Sequence, residues 1–235
     1  MIRVITKDDA DRHDCNLHQM HCLRKIVFKD RLGWDVTVDG ELEIDEYDGA
    51  EATYIVSIDR RGIVNGCVRL LPTTGPNMLR DIFPSLVTKK AVPCDKRVWE
   101  SSRFAVRGSA IRAEAGLSQA TYDLLIGVLR FALSNGIGTI ACVVDVRMER
   151  ILRRSGWRLE RLGSPSRIGN TIAMAGQLDV SAQILRQLEA RGPCARRRRV
   201  SASPRTGLAA PSGSAECTCR PLSAATGPAE QEYET

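Results

Sequence analysis

Hydrophobic positions fall into segments whose spacing changes along the chain. Over residues 14–31, "DCNLHQMHCLRKIVFKDR", apolar residues at Leu17, Met20, Leu23, Val27 and Phe28 recur at three- and four-residue steps, which predicts one helix ended by Gly33. Two β-rich runs, 53–58 and 63–72, are separated by a turn at Gly62 and predict a hairpin that Pro72 terminates. Residues 73–86 read as a turn-rich loop with a short helical piece, and "VWESSRFAV", 98–106, reads as a strand. The clearest helix follows: Leu117, Thr121, Leu124, Leu125, Val128 and Ala132 form its apolar stripe, and Asn135-Gly136 caps it. "TIACVVD" predicts a buried strand, "VRMERILRRSG" a basic helix ended by Gly156, and "TIAMAGQLDV" another strand. Ser181 then N-caps a last helix. Strands first, then alternating helix and strand, predict an α/β (α+β) domain: a mixed sheet flanked by helices.

The strand at 98–106 carries Glu100 and Arg103 in its middle. Charged groups on a half-buried strand are costly unless paired or used. Their positions also have opposite parity, so an ideal strand points them to opposite faces. Both can serve one site only through a β-bulge, unless Arg103 works from the far face.

Composition narrows the field. The chain has 235 residues and a formal net charge of +6. Half of that charge lies from Arg191 onward, where seven Arg face four Glu. The remainder is a mild basic bias that permits an acidic partner without demanding a nucleic acid. From Gly192 the chain turns rich in Pro, Ser, Ala and Arg, with one aromatic residue. Such a segment cannot bury enough apolar surface to offset ordering, so we expect a folded domain over 1–191 and a low-complexity, disordered tail over 192–235. No long apolar run and no secretory leader are present, so a cytoplasmic protein without membrane contact is expected. The eight cysteines show no CxxC pair, which reads as free thiols. All three histidines fall in "HDCNLHQMHC" beside Cys15 and Cys22, but one short helix cannot wrap four ligands around a metal ion, so no metal site is expected.

Polar residues recur where a bland core would not place them: Arg24 four residues before Phe28, Trp34 after the helix, Asp45 and Asp48 around the turn "DEYD", Arg69 inside a strand, then Glu100 and Arg103. Singly, each has an ordinary explanation: a solvated helix residue, turn formers, an arginine capping a buried carboxylate. In order, the blocks "RKIVFKDRLGW", "EIDEYD", "GCVRLLPTTGPNML" and "WESSRFAV" resemble the acyl-homoserine lactone synthases, the LuxI-type autoinducer synthases of quorum sensing. The resemblance covers roughly 1–190 and extends to "RMERILRRSGW" and "GNTIAMAG". The tail does not share it.

The resemblance implies a three-layer α-β-α fold of the GNAT acetyltransferase type with a V-shaped sheet, and with it a bulge between Glu100 and Phe104. It also implies a reaction: S-adenosylmethionine, a substrate rather than a cofactor, supplies an amine, and an acyl carrier protein, or coenzyme A, supplies a fatty acyl thioester. Lactone closure then expels 5′-methylthioadenosine. Glu100 becomes the candidate general base, and Arg103 a catalytic partner. Arg24, Phe28, Trp34, Asp45, Asp48, Arg69, Arg103 and Phe104 become candidates for holding S-adenosylmethionine. Backbone N–H groups near Ser101 to Phe104 are candidate oxyanion donors. Ile140, Cys142 and Val144 share a strand face, and Leu125, Cys142, Val144, Met148 and Trp157 are candidates for an acyl pocket. Cys142 stands where many relatives carry a threonine linked to 3-oxo chains; a thiol donates poorly, which favours an unsubstituted or 3-hydroxy chain. Arg147, Arg150, Arg153 and Arg154 on the basic helix are candidates for carrier docking. The absence of an R-x-x-G-x-G/A pyrophosphate loop favours the carrier over coenzyme A and, with the aromatic and acidic cluster from Arg24 to Asp48, argues against the alternative of a coenzyme A-dependent N-acyltransferase of the same fold.

Overall fold

In the computed structural model, which describes residues 1–49, 51–108, 111–112 and 116–192, the central strands bury both faces. The elements in chain order begin with β1 (Ile2–Ile5) and α1 (Asp14–Lys25), which runs into a π-helical turn at Ile26–Arg31. A short hairpin, β2 (Val38–Asp39) and β3 (Leu42–Glu43), leads to β4 (Thr53–Ile58), β5 (Val64–Pro72) and the single-turn α2 (Met78–Asp81). Then come β6 (Val98–Val106), β7 (Ile111–Arg112), β8 (Gly116–Leu117), α3 (Gln119–Ser134), β9 (Thr139–Asp145) and α4 (Val146–Ser155). β10 (Glu160–Arg161), β11 (Ser166–Ile168), β12 (Thr171–Asp179) and α5 (Ala182–Arg191) complete the described chain.

One sheet runs in the order β1-β4-β5-β6-β9-β12-β10, with β11 also paired to β12. Every pairing is antiparallel except β6 with β9, which α3 connects as a crossover. That parallel pair is also where the sheet opens. Val98 to Ser101 pair with Thr139 to Cys142, and among the described residues β6 has no partner on that side from Ser102 onward. The expected V thus has its apex at Ser101.

Alternate residues of the same strands feed two cores. Ile55, Val68 and Leu70 pack toward α3 with Leu124 and Val128, while Val56, Cys67 and Leu71 pack toward α1 with Met20 and Leu23. Gly127 lets α3 approach β4, since a Cβ there would meet Ile55 Cγ2 at 2.7 Å. Among the described residues, no helix is long and apolar enough to cross a membrane. The expected tail lies beyond Gly192, outside the described residues.

The helix expected over 14–31 spans those residues but changes from α to π within them. Beyond Lys25 the hydrogen bonds lengthen: Leu32 N–H reaches Val27 O at 3.1 Å, five residues back, and Trp34 N–H reaches Phe28 O at 2.9 Å. Gly33, with φ +63°, turns the chain there. The consequence is local: Phe28 and Trp34 stack with ring centres 5.2 Å apart and planes 21° from parallel.

Candidate active site

On β6 the parity conflict is resolved in the backbone. Ser102 pairs with Arg69 and Ala105 with Cys67, so Arg103 and Phe104 together face Val68: a bulge, where the parity argument and the resemblance located one. Arg103 has φ +53°, and among the described residues no other non-glycine residue has positive φ. Such a conformation costs on the order of 1–2 kcal/mol and persists only where surroundings enforce it. Here Arg103 Nε donates to Glu43 Oε1 at 2.9 Å, Nη2 lies 2.7 Å from Asp45 Oδ2, and the guanidinium sits 5.5 Å from the centre of the Phe28 ring. The bulge carries Arg103 to the α1 side, the side of Glu100 and Ser102.

Behind it lies a buried ionic network. Arg24 donates from Nε to Glu43 and in a fork to Asp48, at 2.6 and 2.8 Å. Arg69 forks onto Asp45 at 2.5 and 3.1 Å and also reaches Asp48 at 2.9 Å and Ser102 Oγ at 3.1 Å. Tyr54 O–H donates to Asp48 at 2.8 Å. Three guanidinium groups therefore balance three carboxylates. Burial alone would raise Asp48, but the Arg24 hydrogen bonds and the Arg24 and Arg69 charges hold it well below the usual carboxylate range. Burial likewise opposes the charge on Arg24, yet Asp48 and Glu43 lift its pKa above the ordinary value. Breaking such a pair strands a charge, so each partner locks the others.

The open V forms a cavity of about 1220 Å³. One arm, toward α1, is lined by Phe28, Trp34, Asp45, Tyr47, Met78 and Arg103. The other, toward α3, is lined by Leu125, Val128, Ile140, Cys142, Val144, Met148, Ile151 and Trp157. All five acyl-pocket candidates thus border one apolar arm. Trp157 is fixed there by Nε1–H donating to Asp179 O at 2.7 Å. The Cys142 thiol is pushed up to about 12 by burial, with the Glu100 charge adding to it, so it is a neutral wall group.

Glu100 sits on the lining where the arms meet, 1% exposed. Its pKa is pushed up to about 7 because burial outweighs the Leu79 N–H, which donates to Oε2 at 3.2 Å, and the nearby Arg69 charge. A carboxyl in that state can accept or release a proton near neutral pH.

Three candidates stand elsewhere than expected. Arg24, Asp48 and Arg69 do not line the cavity; their hydrogen-bonding capacity is spent on one another and on Glu43, Asp45 and Ser102. Asp45, Arg103, Phe104, Phe28 and Trp34 do line it. Arg147, Arg150, Arg153 and Arg154 are all exposed on α4, and the first two border the cavity. Glu43 was not singled out from the sequence, although it is fully buried between Arg24 and Arg103. The alternation in "ELEID" was the available signal: a strand there puts Glu43 on one face and Leu42 and Ile44 on the other. Met78, whose Sδ meets Arg69 and Arg103, gave no signal in the loop "TTGPNMLRD".

The family model described as "Autoinducer synthase" matches residues 8–188. The chain belongs to the autoinducer synthases. An acyl-homoserine-lactone synthase of Agrobacterium fabrum (strain C58 / ATCC 33970) is 41% identical to it over 179 residues, 75% of this chain and 85% of that protein. Among solved structures, the coenzyme A-dependent acyl-homoserine lactone synthase BjaI, with SAM and isopentyl-CoA, superposes with a TM-score of 0.73 at 28% identity, over 82% of this chain and 90% of that one. The acyl-homoserine lactone synthase LasI gives 0.70 at 36% identity, over 80% and 93%. The synthase is therefore an acyltransferase that makes acyl-homoserine lactones, on an architecture shared with GNAT-like acetyltransferases.

Proposed function

We propose that this synthase joins the α-amine of S-adenosylmethionine to a fatty acyl group held as a thioester on an acyl carrier protein, then closes the product to the lactone. The observation that carries the reading is Glu100, a buried carboxyl with a pKa near 7 standing between a charged aromatic arm and an apolar one. The incoming amine is protonated, with an ordinary pKa of about 8. Glu100 takes that proton, and the nitrogen lone pair attacks the thioester carbonyl carbon. A C–N bond forms, the C–S bond breaks, and the thiolate leaves with a proton from the nitrogen. Backbone N–H groups of Ser101 to Phe104, beside the open edge of β6, stabilise the oxyanion between these steps. The methionyl carboxylate then attacks the carbon next to sulfur. A C–O bond forms, the sulfonium C–S bond breaks, and 5′-methylthioadenosine departs neutral.

The arms divide the work. Phe28 and Trp34 wall the adenosyl and sulfonium groups. Asp45 answers positive charge, Arg103 orients the carboxylate, and Phe104 closes the floor. Arg24, Asp48 and Arg69 act from behind, holding Asp45, Glu43 and Arg103 in place. Leu125, Cys142, Val144, Met148 and Trp157 enclose the acyl chain. The weakly donating Cys142 favours an unsubstituted or 3-hydroxy chain. No cofactor enters, and the reaction runs in the cytoplasm.

Carrier protein is favoured as donor by four exposed arginines on α4, which complement an acidic partner. Acyl-coenzyme A is the second reading, favoured by the likeness to BjaI. The test is mass spectrometry of the products of purified enzyme with S-adenosylmethionine and either donor, beside Glu100→Gln. Lactone from the wild-type enzyme, faster with carrier-bound acyl groups and lost in the variant, supports the reading. Equal or faster turnover of acyl-coenzyme A overturns the donor assignment, and unchanged turnover by the variant removes Glu100 from the chemistry.

A further inference from the structure

The segment between β5 and β6 carries α2, a single turn of four residues. So short a helix does not hold itself, because nucleation costs more than one turn of hydrogen bonds returns. Asn77 supplies what is missing. It is fully buried, and both polar atoms of its side chain are used. Oδ1 accepts the Arg80 N–H at 3.1 Å as the N-cap of α2, while Nδ2 donates to Gly75 O at 2.9 Å and to Thr73 O at 3.4 Å. The Asn77 backbone N–H donates to Asp81 Oδ2 at 3.0 Å. One end of the amide meets an N–H and the other meets two carbonyls, so a single orientation satisfies both.

Thr73 refers this knot to β6. Its N–H donates to Val98 O at 3.2 Å, and its Oγ1, 2.7 Å from the same carbonyl, accepts the Asp95 N–H at 3.1 Å. Val98 stands two residues before Glu100 on that strand. From its other end, α2 returns to the same strand. The Leu79 N–H, one of the first-turn donors a helix leaves unpaired, donates to Glu100 Oε2 at 3.2 Å. The contacts therefore close a ring, from Val98 through Thr73 and Asn77 to Leu79 and Glu100. Burial disfavours the Glu100 carboxylate, and the Leu79 N–H is the largest influence opposing it. The other groups facing Glu100 are Arg69 on β5, whose charge helps the carboxylate, and Asp81 on α2, whose charge repels it. Tyr47 and the Cys142 thiol also feel its charge, and both are neutral near pH 7.

We propose that Asn77 is a positioning residue for the reaction: by capping α2 and tying it to the segment anchored on β6, it holds the Leu79 N–H against the Glu100 carboxylate and keeps that carboxylate available as a base. This rests on the reading of Glu100 as the group that takes the amine proton. Asn77 itself is off the cavity lining and acts through Leu79.

The test reads the Glu100 carboxyl directly and needs no turnover. In the full chain labelled with carbon-13 at the glutamate carboxyl carbon, the Glu100 resonance is identified by its absence from Glu100→Gln and followed against pH. The wild-type protein should titrate near 7. Asn77→Ala should titrate about one pH unit higher, the effect of one lost hydrogen bond to a charged group. Asn77→Ser keeps an oxygen for the Arg80 N–H and should return most of that difference. The rising limb of kcat/KM should move with the resonance while the plateau at high pH is kept. A merely structural role lowers the plateau and leaves the limb in place. Equal titration of Asn77→Ala and wild type, or a serine variant displaced as far as the alanine one, overturns the proposal. Should Asn77→Ala not fold, Asn77→Gly carries the same test, since glycine is tolerated at an N-cap and equally lacks the amide. Failure of the base reading looks different: the kcat/KM limb would persist in Glu100→Gln, while the Glu100 resonance still responded to Asn77.

Discussion

On the α1 side of the sheet, three guanidinium groups and three carboxylates face one another almost out of water; on the α3 side, Leu125, Val128, Ile140, Val144 and Trp157 enclose an apolar arm of the same cavity. The first region is over-determined. Every charge there has two or more partners, so several contacts fix each group at once, but the loss of any partner exposes the others to a desolvation cost. The second region is held by contact area alone, which tolerates change of shape. Glu100 belongs to neither: among the described residues no arginine pairs with it, and burial keeps its pKa near neutrality.

Removing that carboxyl should have the largest effect. Glu100→Gln is expected to lower kcat by about 10³-fold, within the range of lost general-base catalysis, with KM for S-adenosylmethionine little changed. In the wild-type enzyme, kcat/KM should rise with pH through about 7 as the base ionises. The same group has an opposite consequence for stability. Its pKa is raised in the folded protein from 4.5 to about 7, so the fold favours the protonated form; the stabilisation is complete below about 4.5 and is lost as pH rises through 7. Glutamine keeps the neutral shape. Thermal unfolding should therefore show the variant more stable than wild type at pH 8, by up to about 3 kcal/mol, and no different at pH 4. A variant that is inactive and also less stable at pH 8 would mean the carboxylate is structural.

The contrast between the two arms can be broken by matched truncations. Asp48→Ala leaves Arg24 and Arg69 short of a partner in a dry site and should cost about 3–5 kcal/mol in denaturant unfolding. Leu125→Ala removes a buried group that already borders open space, so its cost should fall near the low end of such changes, about 2 kcal/mol. Function should divide the other way. Asp48→Ala is expected to lower kcat/KM for every acyl donor alike, whereas Leu125→Ala should shift the product mixture toward longer or bulkier acyl groups, read by mass spectrometry of the lactones. A general loss of rate from Leu125→Ala, with no change of product, would mean that the apolar arm does not measure the chain.

How much of this was legible in the chain follows from which interactions are local. The strand 98–106, the strand 139–145 and the caps at Ser118, Asp145 and Ser181 are set by patterns within a few residues, and two of the caps were not needed to find their helices. The bulge was legible for a less common reason: Glu100 and Arg103 could share a site only if the period-two pattern was broken between them. The pairing of β6 with β9 was not legible, because a parallel crossover pairs residues about forty positions apart and no local signal marks where it stops at Ser101. Glu43 escaped for a related reason. A carboxylate between Leu42 and Ile44 on a two-residue strand looks solvent-facing until α1 lays Arg24 over it and the bulge turns Arg103 toward it. The π-helical turn was hidden as well, since its residues have the composition of an ordinary helix and only the Phe28–Trp34 stack reveals it.

The smallest effect should come from the outermost charges. Arg153 and Arg154 lie in the last turn of α4, exposed and off the cavity lining, so reversing both, Arg153→Glu with Arg154→Glu, touches neither arm. Stability should change by less than about 1 kcal/mol, as for other exposed charges. The expected effect is a rise of roughly tenfold in KM for acyl-carrier protein at low salt, shrinking as added salt screens the surface, with kcat and the KM for S-adenosylmethionine unaltered. Acyl-pantetheine, which brings no protein surface, should be used equally by both forms. The distinction matters because a lowered kcat with all donors would tie α4 to the apolar arm through Ile151 and Leu152, which are buried on the opposite face of the same helix, and would mean that the two regions are mechanically coupled rather than independent.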